Sequence, residues 1–287
     1  MGSDGKWVPA SCIGTAYFVC ELSLGLSSDC SPYASKEPGR RIIELTDGTL
    51  AETYCDKGLT VIQSRGEEKF ESFDRSYEQY DEHFGTPGKN TNFWFGLRRM
   101  RTLIGASGKY DMAIQVCCGN QPGMTTYVQH IKLSGKDKQY QLDGTASGES
   151  GLHYSNVRTD LGSPFATFHT LGDGNKYCDV LNTYNGNIKE GSGGFWFGSC
   201  TNNLNGYYYK YGSKYYKNPA RCELDLQQME KHGTGIEIRT DRSPTNGTYQ
   251  FDGVSWTRAR MVIYPSGMSI DMQANSRDYC ADFNPTA

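Results

Sequence analysis

Ten cysteines in a chain of 287 residues are the feature that most restricts how this sequence folds. The count is even, and it occurs with 34 glycines and 20 tyrosines, a composition typical of short strands joined by many turns. Such chains are typical of disulfide-linked proteins from an oxidising compartment. Zinc is the alternative use of cysteine, but no C-x2-C pair occurs and no histidine lies at zinc-finger spacing from a cysteine. We therefore expect disulfides and a secreted, extracellular protein.

Charge and hydropathy exclude several classes of function. Lysine and arginine total 29 and aspartate and glutamate total 32, so the net charge of -3 offers no basic excess for nucleic-acid binding. No apolar run is long enough to span a bilayer. The five histidines are scattered and no nucleophile–base motif occurs, so we expect a protein that is not an enzyme.

Two short segments bear on the compartment. Residues 1–14 lack the apolar segment of a signal peptide, so we expect the numbering to start after such a peptide or at an engineered start. The triplet Asn246-Gly247-Thr248 is an N-glycosylation sequon. It predicts a glycoprotein that carries its glycan on Asn246.

An aromatic run followed by an asparagine-rich turn marks the stretch from Gly193 to Tyr208. Its leading glycines permit a sharp turn and close approach of other groups. Phe195-Trp196-Phe197 cannot all be solvated cheaply, so we expect at least part of the run in the core. A buried aromatic wall beside a cross-linked, asparagine-lined loop can form a small recognition pocket. Taken alone, these residues favour a simpler structure, which is a buried strand and a hairpin turn cross-linked through a disulfide at Cys200.

The order of several motifs resembles a known family. The pattern G-G-aromatic-W-aromatic-x-x-C, followed by N-L-N-G-x-Y at 203–208, resembles the fibrinogen C-terminal-like domain. The resemblance runs from Cys30 to Pro265 through further matching blocks: Tyr54-Cys55-Asp56, Gly58–Arg65, Phe73–Gly85, Asn92–Leu97, Phe165-Ala166-Thr167 and Trp256–Pro265. The chain departs from the pattern at Leu59, where tryptophan is usual, and near residues 235–240, where both tryptophans of the family are absent.

This resemblance implies an α+β fold of the fibrinogen C-terminal-like type. Its parts are a small N-terminal disulfide-linked subdomain, a central twisted antiparallel sheet flanked by short helices, and a loop-rich C-terminal pocket region. The expected domains are a cysteine-bearing N-terminal extension at residues 1–29, the fibrinogen-like domain at 30–265, and a C-terminal tail at 266–287 outside the domain.

Periodicity adds local predictions. Four aromatic residues recur at helical spacing: Phe73, Tyr77, Tyr80 and Phe84. We expect one helix over this segment, with Asp74 capping its start and Gly85 its end. Residues 110–116 and 126–133 alternate between apolar and polar, which predicts two paired strands.

The resemblance implies two disulfides, Cys30–Cys55 and Cys178–Cys200. Six cysteines remain: Cys12, Cys20, Cys117, Cys118, Cys222 and Cys280. The adjacent pair Cys117-Cys118 rarely bonds to itself because the ring so closed is strained, so each is expected to bond a distant partner. The partners stay open, and one or two of the six could instead bond another subunit of a homo- or hetero-oligomer.

Calcium is the cofactor that the resemblance raises. Counting back from Cys178, the two aspartates of the family's calcium loop fall on Thr170 and Gly172, and neither is a carboxylate. Asp173 and Asn175 are the displaced candidates to hold the ion. Calcium takes six to eight oxygen ligands, usually with several carboxylates, so a glycine/asparagine turn without an ion is the favoured alternative.

For function, the resemblance implies binding at a pocket beside Cys200. In many members a cis peptide precedes the equivalent cysteine, which makes Ser199-Cys200 the expected cis bond. The expected ligand-binding residues are Ser199, Cys200, Thr201, Asn202, Asn203 and Tyr208. Lectin-type members usually place a histidine after the cysteine, where this chain has Thr201, so binding of acetylated sugars does not follow.

Two functions compete on these grounds. The first is a secreted, non-catalytic, lectin-like or protein-binding module that recognises a glycan or an extracellular protein partner through the Cys200 pocket and the loop at 179–192. The second is a structural, disulfide-stabilised subunit of an extracellular assembly in which the inherited pocket is lost. We predict the first, with no nucleic-acid partner and no membrane span.

Overall fold

The computed structural model describes residues 26–66, 71–151, 160–167, 170, 193–198, 202–225, 235–238 and 254–282. Strands and α-helices alternate irregularly within these ranges. In chain order they are β1 (Gly39–Glu44), β2 (Leu50–Asp56), β3 (Leu59–Arg65), α1 (Tyr77–Asp81), β4 (Phe84–Gly85), β5 (Phe93–Trp94), α2 (Leu97–Ile104), β6 (Tyr110–Cys118), β7 (Gln121–Leu133), β8 (Leu142–Gly151), β9 (Phe165–Thr167), β10 (Gly194–Trp196), β11 (Tyr216–Asn218), β12 (Glu223–Leu224), β13 (Arg258–Pro265) and α3 (Met272–Ala281). None of these helices has the length and apolar character needed to cross a membrane.

One nine-stranded antiparallel sheet organises these elements. Its order is β1-β2-β3-β13-β6-β7-β8, with β4 and β5 placed beside β3. The last of the described strands, β13, lies between β3 and β6, so the sheet is complete only when this late segment has folded back. The strands β6 and β7 pair as the alternation at 110–116 and 126–133 predicts. The fold is α+β with a central antiparallel sheet flanked by short helices, as the resemblance implied.

The two central strands β3 and β13 carry polar side chains on opposite faces of the sheet. Arg65 pairs with Ala259, and Ser64 pairs with Arg260. Directly opposite residues of an antiparallel pair share a face and successive residues alternate. Arg65 and Gln63 therefore lie on one face, and Arg260 lies on the other.

Aromatic side chains fill the space above the Arg65 face. Trp94 pairs with Gln63 across β5 and β3 and so lies on that face. Its ring is 5.2 Å from Tyr80, 5.7 Å from Phe165 and 6.2 Å from Trp196. Such tilted and edge-to-face contacts add to the stabilisation from burial. The expected core position of the aromatic run is confirmed, since Phe195, Trp196 and Phe197 are at most 2% exposed.

Helix α1 is shorter than the aromatic periodicity predicts. It begins after Ser76, whose side chain accepts the Gln79 N–H, while the Gln79 side chain accepts the Ser76 N–H. This capping box satisfies the first free amides, so Ser76 and not Asp74 is the N-cap. Gly85 does not end the helix but lies in β4 with φ +74°. The aromatic side chains still meet, with Phe73 and Tyr80 each about 5 Å from Phe84.

A buried polar network joins α3 to the Arg260 face. The Arg260 guanidinium donates to Asp56 Oδ2 at 2.8 Å, to Gln115 Oε1 at 2.8 Å and to Asn275 Oδ1 at 2.7 Å. Asn275 in turn donates to Asp56 Oδ2 at 3.1 Å. The Tyr279 ring lies 4.0 Å from the Arg260 guanidinium carbon, a cation–π contact. Three strands and one helix thus share one buried charge pair.

Three disulfides lie within the described residues. Cys30–Cys55 is present as the resemblance implied, and Cys117–Cys280 and Cys118–Cys222 confirm that the adjacent cysteines bond distant partners. Helix α3 lies in the segment 266–287 that was expected as a C-terminal tail, and it packs on the sheet because Cys280 and Asn275 tie it there. The domain boundary at Pro265 stays a prediction. The remaining cysteines lie outside the described residues: Cys12, Cys20, Cys178 and Cys200.

The paired disulfides at Cys117-Cys118 predict a distinctive peptide map. Proteases do not separate two adjacent cross-linked cysteines readily, so digestion without reductant should give one three-peptide product carrying Cys222 and Cys280 together. Mass spectrometry before and after reduction measures it. A product that links Cys222 directly to Cys280 would contradict the pairing.

Removing Asn275 from the polar network should destabilise the protein. Asn275→Ala leaves Arg260 and Asp56 buried with fewer hydrogen bonds, at a cost of about 2 kcal/mol in the free energy of unfolding. Gln273→Ala is the matched control, because Gln273 is exposed on the same helix. Denaturant unfolding of the disulfide-intact protein measures both. Equal stability of the two variants would show that the network does not stabilise the fold.

Candidate functional site

The asparagine-rich loop at residues 202–206 is buried. Asn202, Asn203 and Asn205 expose 0%, 1% and 0% of their surface. Buried amide groups need hydrogen-bond partners within the protein, so these side chains first of all shape the loop. Tyr208, which follows the loop, is half-buried. Direct ligand contact by Asn202, Asn203 and Tyr208 stays a prediction.

The carboxylate of Asp160 holds both ends of the predicted pocket segment. It accepts a hydrogen bond from Asn202 Nδ2 at 2.5 Å and another from the Gly198 N–H at 3.2 Å. Ser199, Cys200 and Thr201 lie between these two positions and outside the described residues. One buried carboxylate, 2% exposed, therefore fixes the chain immediately before and after them.

Sequence reasoning missed Asp160. Its local signal is only a turn, since the Ser163 N–H donates to the Asp160 carbonyl at 3.1 Å. Nothing in the spacing of the chain connects residue 160 with residues 198–202. The contact exists because the chain before β9 passes the end of β10, with which β9 pairs.

Strand β3 holds the loop from below. Gln63 Nε2 donates to Asn205 Oδ1 at 3.0 Å. Arg65 Nη1 donates to the carbonyl of Gly206 at 2.8 Å, and its Nε donates to Asn92 Oδ1 at 3.2 Å. Burial lowers the pKa of Arg65 to about 10, which leaves the guanidinium charged at neutral pH. The loop is therefore fixed by a charged group of the central sheet.

Tyr80 connects α1 to the start of the aromatic run. Its hydroxyl donates to the Phe73 carbonyl at 2.7 Å and accepts the Gly194 N–H at 2.9 Å. Burial raises the pKa of Tyr80, so the hydroxyl stays protonated and able to donate. Gly193 has φ +70°, and a Cβ there would lie 2.3 Å from the Asn205 carbonyl oxygen. Only glycine permits this close approach of the run to the loop.

The far side of the loop pairs with residues 235–238. Asn203 and Glu237 exchange backbone hydrogen bonds of 2.8 and 3.0 Å. At the first expected tryptophan position the chain has Ile238, which is 1% exposed, and the nearby Ile236 is 0% exposed. The second expected tryptophan position, 241, lies outside the described residues. Isoleucine fills the core here, and it offers no polar atom or flat ring to a ligand.

Several predicted features lie outside the described residues. These are the Cys178–Cys200 disulfide, the Ser199-Cys200 peptide bond, the calcium candidates Asp173 and Asn175, and the sequon residue Asn246. The calcium candidates supply a single carboxylate, which does not fit the oxygen-rich shell that the ion takes. Within the described ranges no group of three or more histidine, cysteine, aspartate or glutamate side chains could hold a metal.

The chain matches the C-terminal globular domain of fibrinogen beta and gamma chains over residues 29–266. It belongs to this family. Fibrinogen-like protein 1 of Rattus norvegicus is 30% identical over 187 residues, which cover 62% of this chain and 56% of that protein. Angiopoietin-2 of Mus musculus is 30% identical over 163 residues, covering 54% of this chain and 30% of that protein. The chain thus spans about half or less of the length of these curated relatives.

Solved structures agree on the fold. The fibrinogen-like globe domain of human ANGPTL6 superposes with a TM-score of 0.60 at 18% identity, covering 84% of this chain and 96% of that one. The lamprey fibrin D-dimer, solved with the peptide ligand Gly-His-Arg-Pro-amide, gives a TM-score of 0.62 at 21% identity, covering 85% and 75%. At these identities the likeness concerns the fold alone.

Removing the Tyr80 hydroxyl should weaken the attachment of the aromatic run. Tyr80→Phe leaves the Gly194 N–H and the Phe73 carbonyl without their partner, at a cost of about 1–2 kcal/mol in the free energy of unfolding. Tyr77→Phe on the same helix is the control, because the Tyr77 hydroxyl has no hydrogen-bond partner within the described residues. Thermal and denaturant unfolding compare the two. A Tyr77→Phe variant as destabilised as Tyr80→Phe would contradict this account.

Proposed function

We propose that this protein is a secreted, non-catalytic recognition module that binds an extracellular glycan or protein through the region around Cys200. The observation that carries the proposal is the loop at residues 202–206, which is fixed by Arg65 and Gln63 below and by Asp160 at its entry. Residues 202–206 are buried, so their role in this proposal is to hold the neighbouring Tyr208 in place. A contact residue fixed before binding loses little conformational entropy on binding, which favours affinity.

Family membership supports binding rather than catalysis. One related structure, the lamprey fibrin D-dimer, holds a peptide ligand. The asparagine side chains of this loop form hydrogen bonds that shape its backbone. A catalytic nucleophile needs a base within hydrogen-bond reach, and the sequence contains no nucleophile–base motif. Calcium has no role in the proposed function, because Asp173 and Asn175 offer too few charged oxygens.

Secretion is supported by the use of cysteine. Three disulfides tie together distant parts of the described chain, with sequence separations of 25, 163 and 104 residues. Such bonds form and persist outside the cytosol. The same observation weakens the alternative of a structural subunit linked to others by disulfides. Four of the six additional cysteines bond within the chain, which leaves Cys12 and Cys20 for that role.

Binding arrays test the proposal. The disulfide-intact protein is applied to a glycan array and to a panel of extracellular protein domains, each with calcium and with a chelator. We expect a defined set of hits that a chelator does not abolish. Tyr208→Ala should weaken those hits at least about tenfold, because truncating an aromatic contact at a binding site commonly has this effect.

Tyr33→Ala is the matched control, since Tyr33 is also half-buried but lies in the turn at Ser31–Tyr33. It should bind as the unmodified protein does. Absence of hits on both arrays would contradict the binding function. If the protein also forms a disulfide-linked oligomer that reductant converts to monomer, the structural function would replace it.

A further inference from the structure

A strip of tyrosine and lysine follows directly after the candidate loop. It spans residues 207–217, with the sequence YYYKYGSKYYK, and is called the tyrosine–lysine strip below. Its three lysines, Lys210, Lys214 and Lys217, are all exposed. Residues 206–222 contain no aspartate or glutamate, although acidic residues outnumber basic ones in the whole chain. The strip itself thus carries only positive charges on a protein of net charge -3. Two carboxylates lie beside it: Glu223 forms an ion pair with Arg221 at 3.1 Å, and the Asp225 N–H donates to the Tyr215 carbonyl at 2.8 Å.

Two buried tyrosines hold the strip rigidly on the domain. Tyr209 and Tyr216 are 1% and 7% exposed. The Tyr216 hydroxyl lies 3.2 Å from the carbonyl oxygen of Tyr209 and 3.1 Å from that of Ser255. At the C-terminal end, β11 pairs with β12, and the Cys118–Cys222 disulfide ties this hairpin to β6. The exposed lysines are thus carried by a backbone that is anchored at several points.

Aromatic rings accompany the lysines along the strip. Tyr207 is 37% exposed and its ring centre lies 4.9 Å from that of Tyr209, while the Tyr215 ring centre lies 5.5 Å from that of Tyr209. Lys214 Nζ lies 5.6 Å from the centre of the Tyr215 ring. Tyrosine offers a large, rigid contact area with little side-chain entropy to lose, which suits a binding surface.

We propose that the tyrosine–lysine strip binds a sulfated polysaccharide chain. A single exposed ion pair contributes little, so a ligand with one anionic group gains little here. A linear polyanion can contact several lysines along the strip at once, and each contact releases bound counterions. The apolar faces of sugar rings can pack on Tyr207, the exposed tyrosine of the strip, and on its half-buried tyrosines. This inference rests on the proposed binding function and names a ligand class for it.

Immobilised heparin is the probe, with desulfated heparin and polyglutamate as competitors, applied to the full disulfide-intact chain. The strip variant is Lys210→Gln/Lys214→Gln/Lys217→Gln. Its matched control is Lys36→Gln/Lys132→Gln/Lys138→Gln, which removes three other exposed lysines and changes the net charge equally. Circular dichroism and non-reducing electrophoresis verify folding, and the single change Lys214→Glu serves if the triple variant does not fold.

The unmodified protein should bind heparin, with an affinity that falls roughly 20-fold between 50 and 200 mM salt if the three lysines together displace about two counterions. The strip variant should bind at least about tenfold more weakly, while the control stays within about twofold. Tyr207→Ala should weaken binding without changing the salt dependence, because it removes ring contact and no charge.

Four results would overturn the inference. Equal losses in the strip variant and its control would show an effect of net charge alone. Desulfated heparin that competes as well as heparin would exclude recognition of sulfate. Stronger competition by polyglutamate than by soluble heparin would point to an acidic protein partner. Absence of heparin binding overturns the strip assignment but leaves the proposed function intact if array hits remain, whereas loss of both removes the function as well.

Discussion

The structure depends on buried polar side chains at the centre of the sheet, on the neighbouring strands β3 and β13. Gln63 and Arg65 lie on one face, and Arg260 lies on the other. A buried guanidinium is tolerated only when it is paired or hydrogen-bonded, so whatever covers each face must supply oxygen atoms in fixed places. On one face these oxygens are the Gly206 carbonyl of the asparagine-rich loop and the side-chain oxygen of Asn92. On the other they belong to Asp56 and to side chains around helix α3.

This division separates the face that carries the proposed binding region from the face that carries the tethered helix α3. The Arg65 face carries the aromatic core and above it the loop at residues 202–206, from which the exposed tyrosine–lysine strip continues. The Arg260 face carries α3, which the Cys117–Cys280 disulfide also tethers. Since β13 inserts between β3 and β6, both faces are completed by the same late segment of the chain. The C-terminal part of the sequence thus stabilises the sheet that supports the loop.

Most of the fold could be predicted from motif order, because each block is a local pattern. Alternation at 110–116 and 126–133 and the run Phe195-Trp196-Phe197 each follow from side-chain chemistry within a few residues. The extent of α1 could not be predicted. The aromatic residues recur at helical spacing from Phe73 to Phe84, but the capping box at Ser76 starts the helix later and Phe84 pairs in strand β4. The position of α3 could not be predicted either, because it packs on a network around Arg260 that includes Asp56 and Gln115, which are distant in the sequence.

The sequence by itself determined three things. Motif order determined the family, and composition determined the oxidised state expected of the cysteines. Bond geometry determined that Cys117 and Cys118 need separate partners. Only the tertiary structure decided which partners they take, that Asn202 and Asn203 are buried, and that Asp160 holds the chain on both sides of Cys200. The physical reason is that buried polar groups must be satisfied by atoms that are close in space, and closeness in space is set by strand pairing rather than by spacing along the chain.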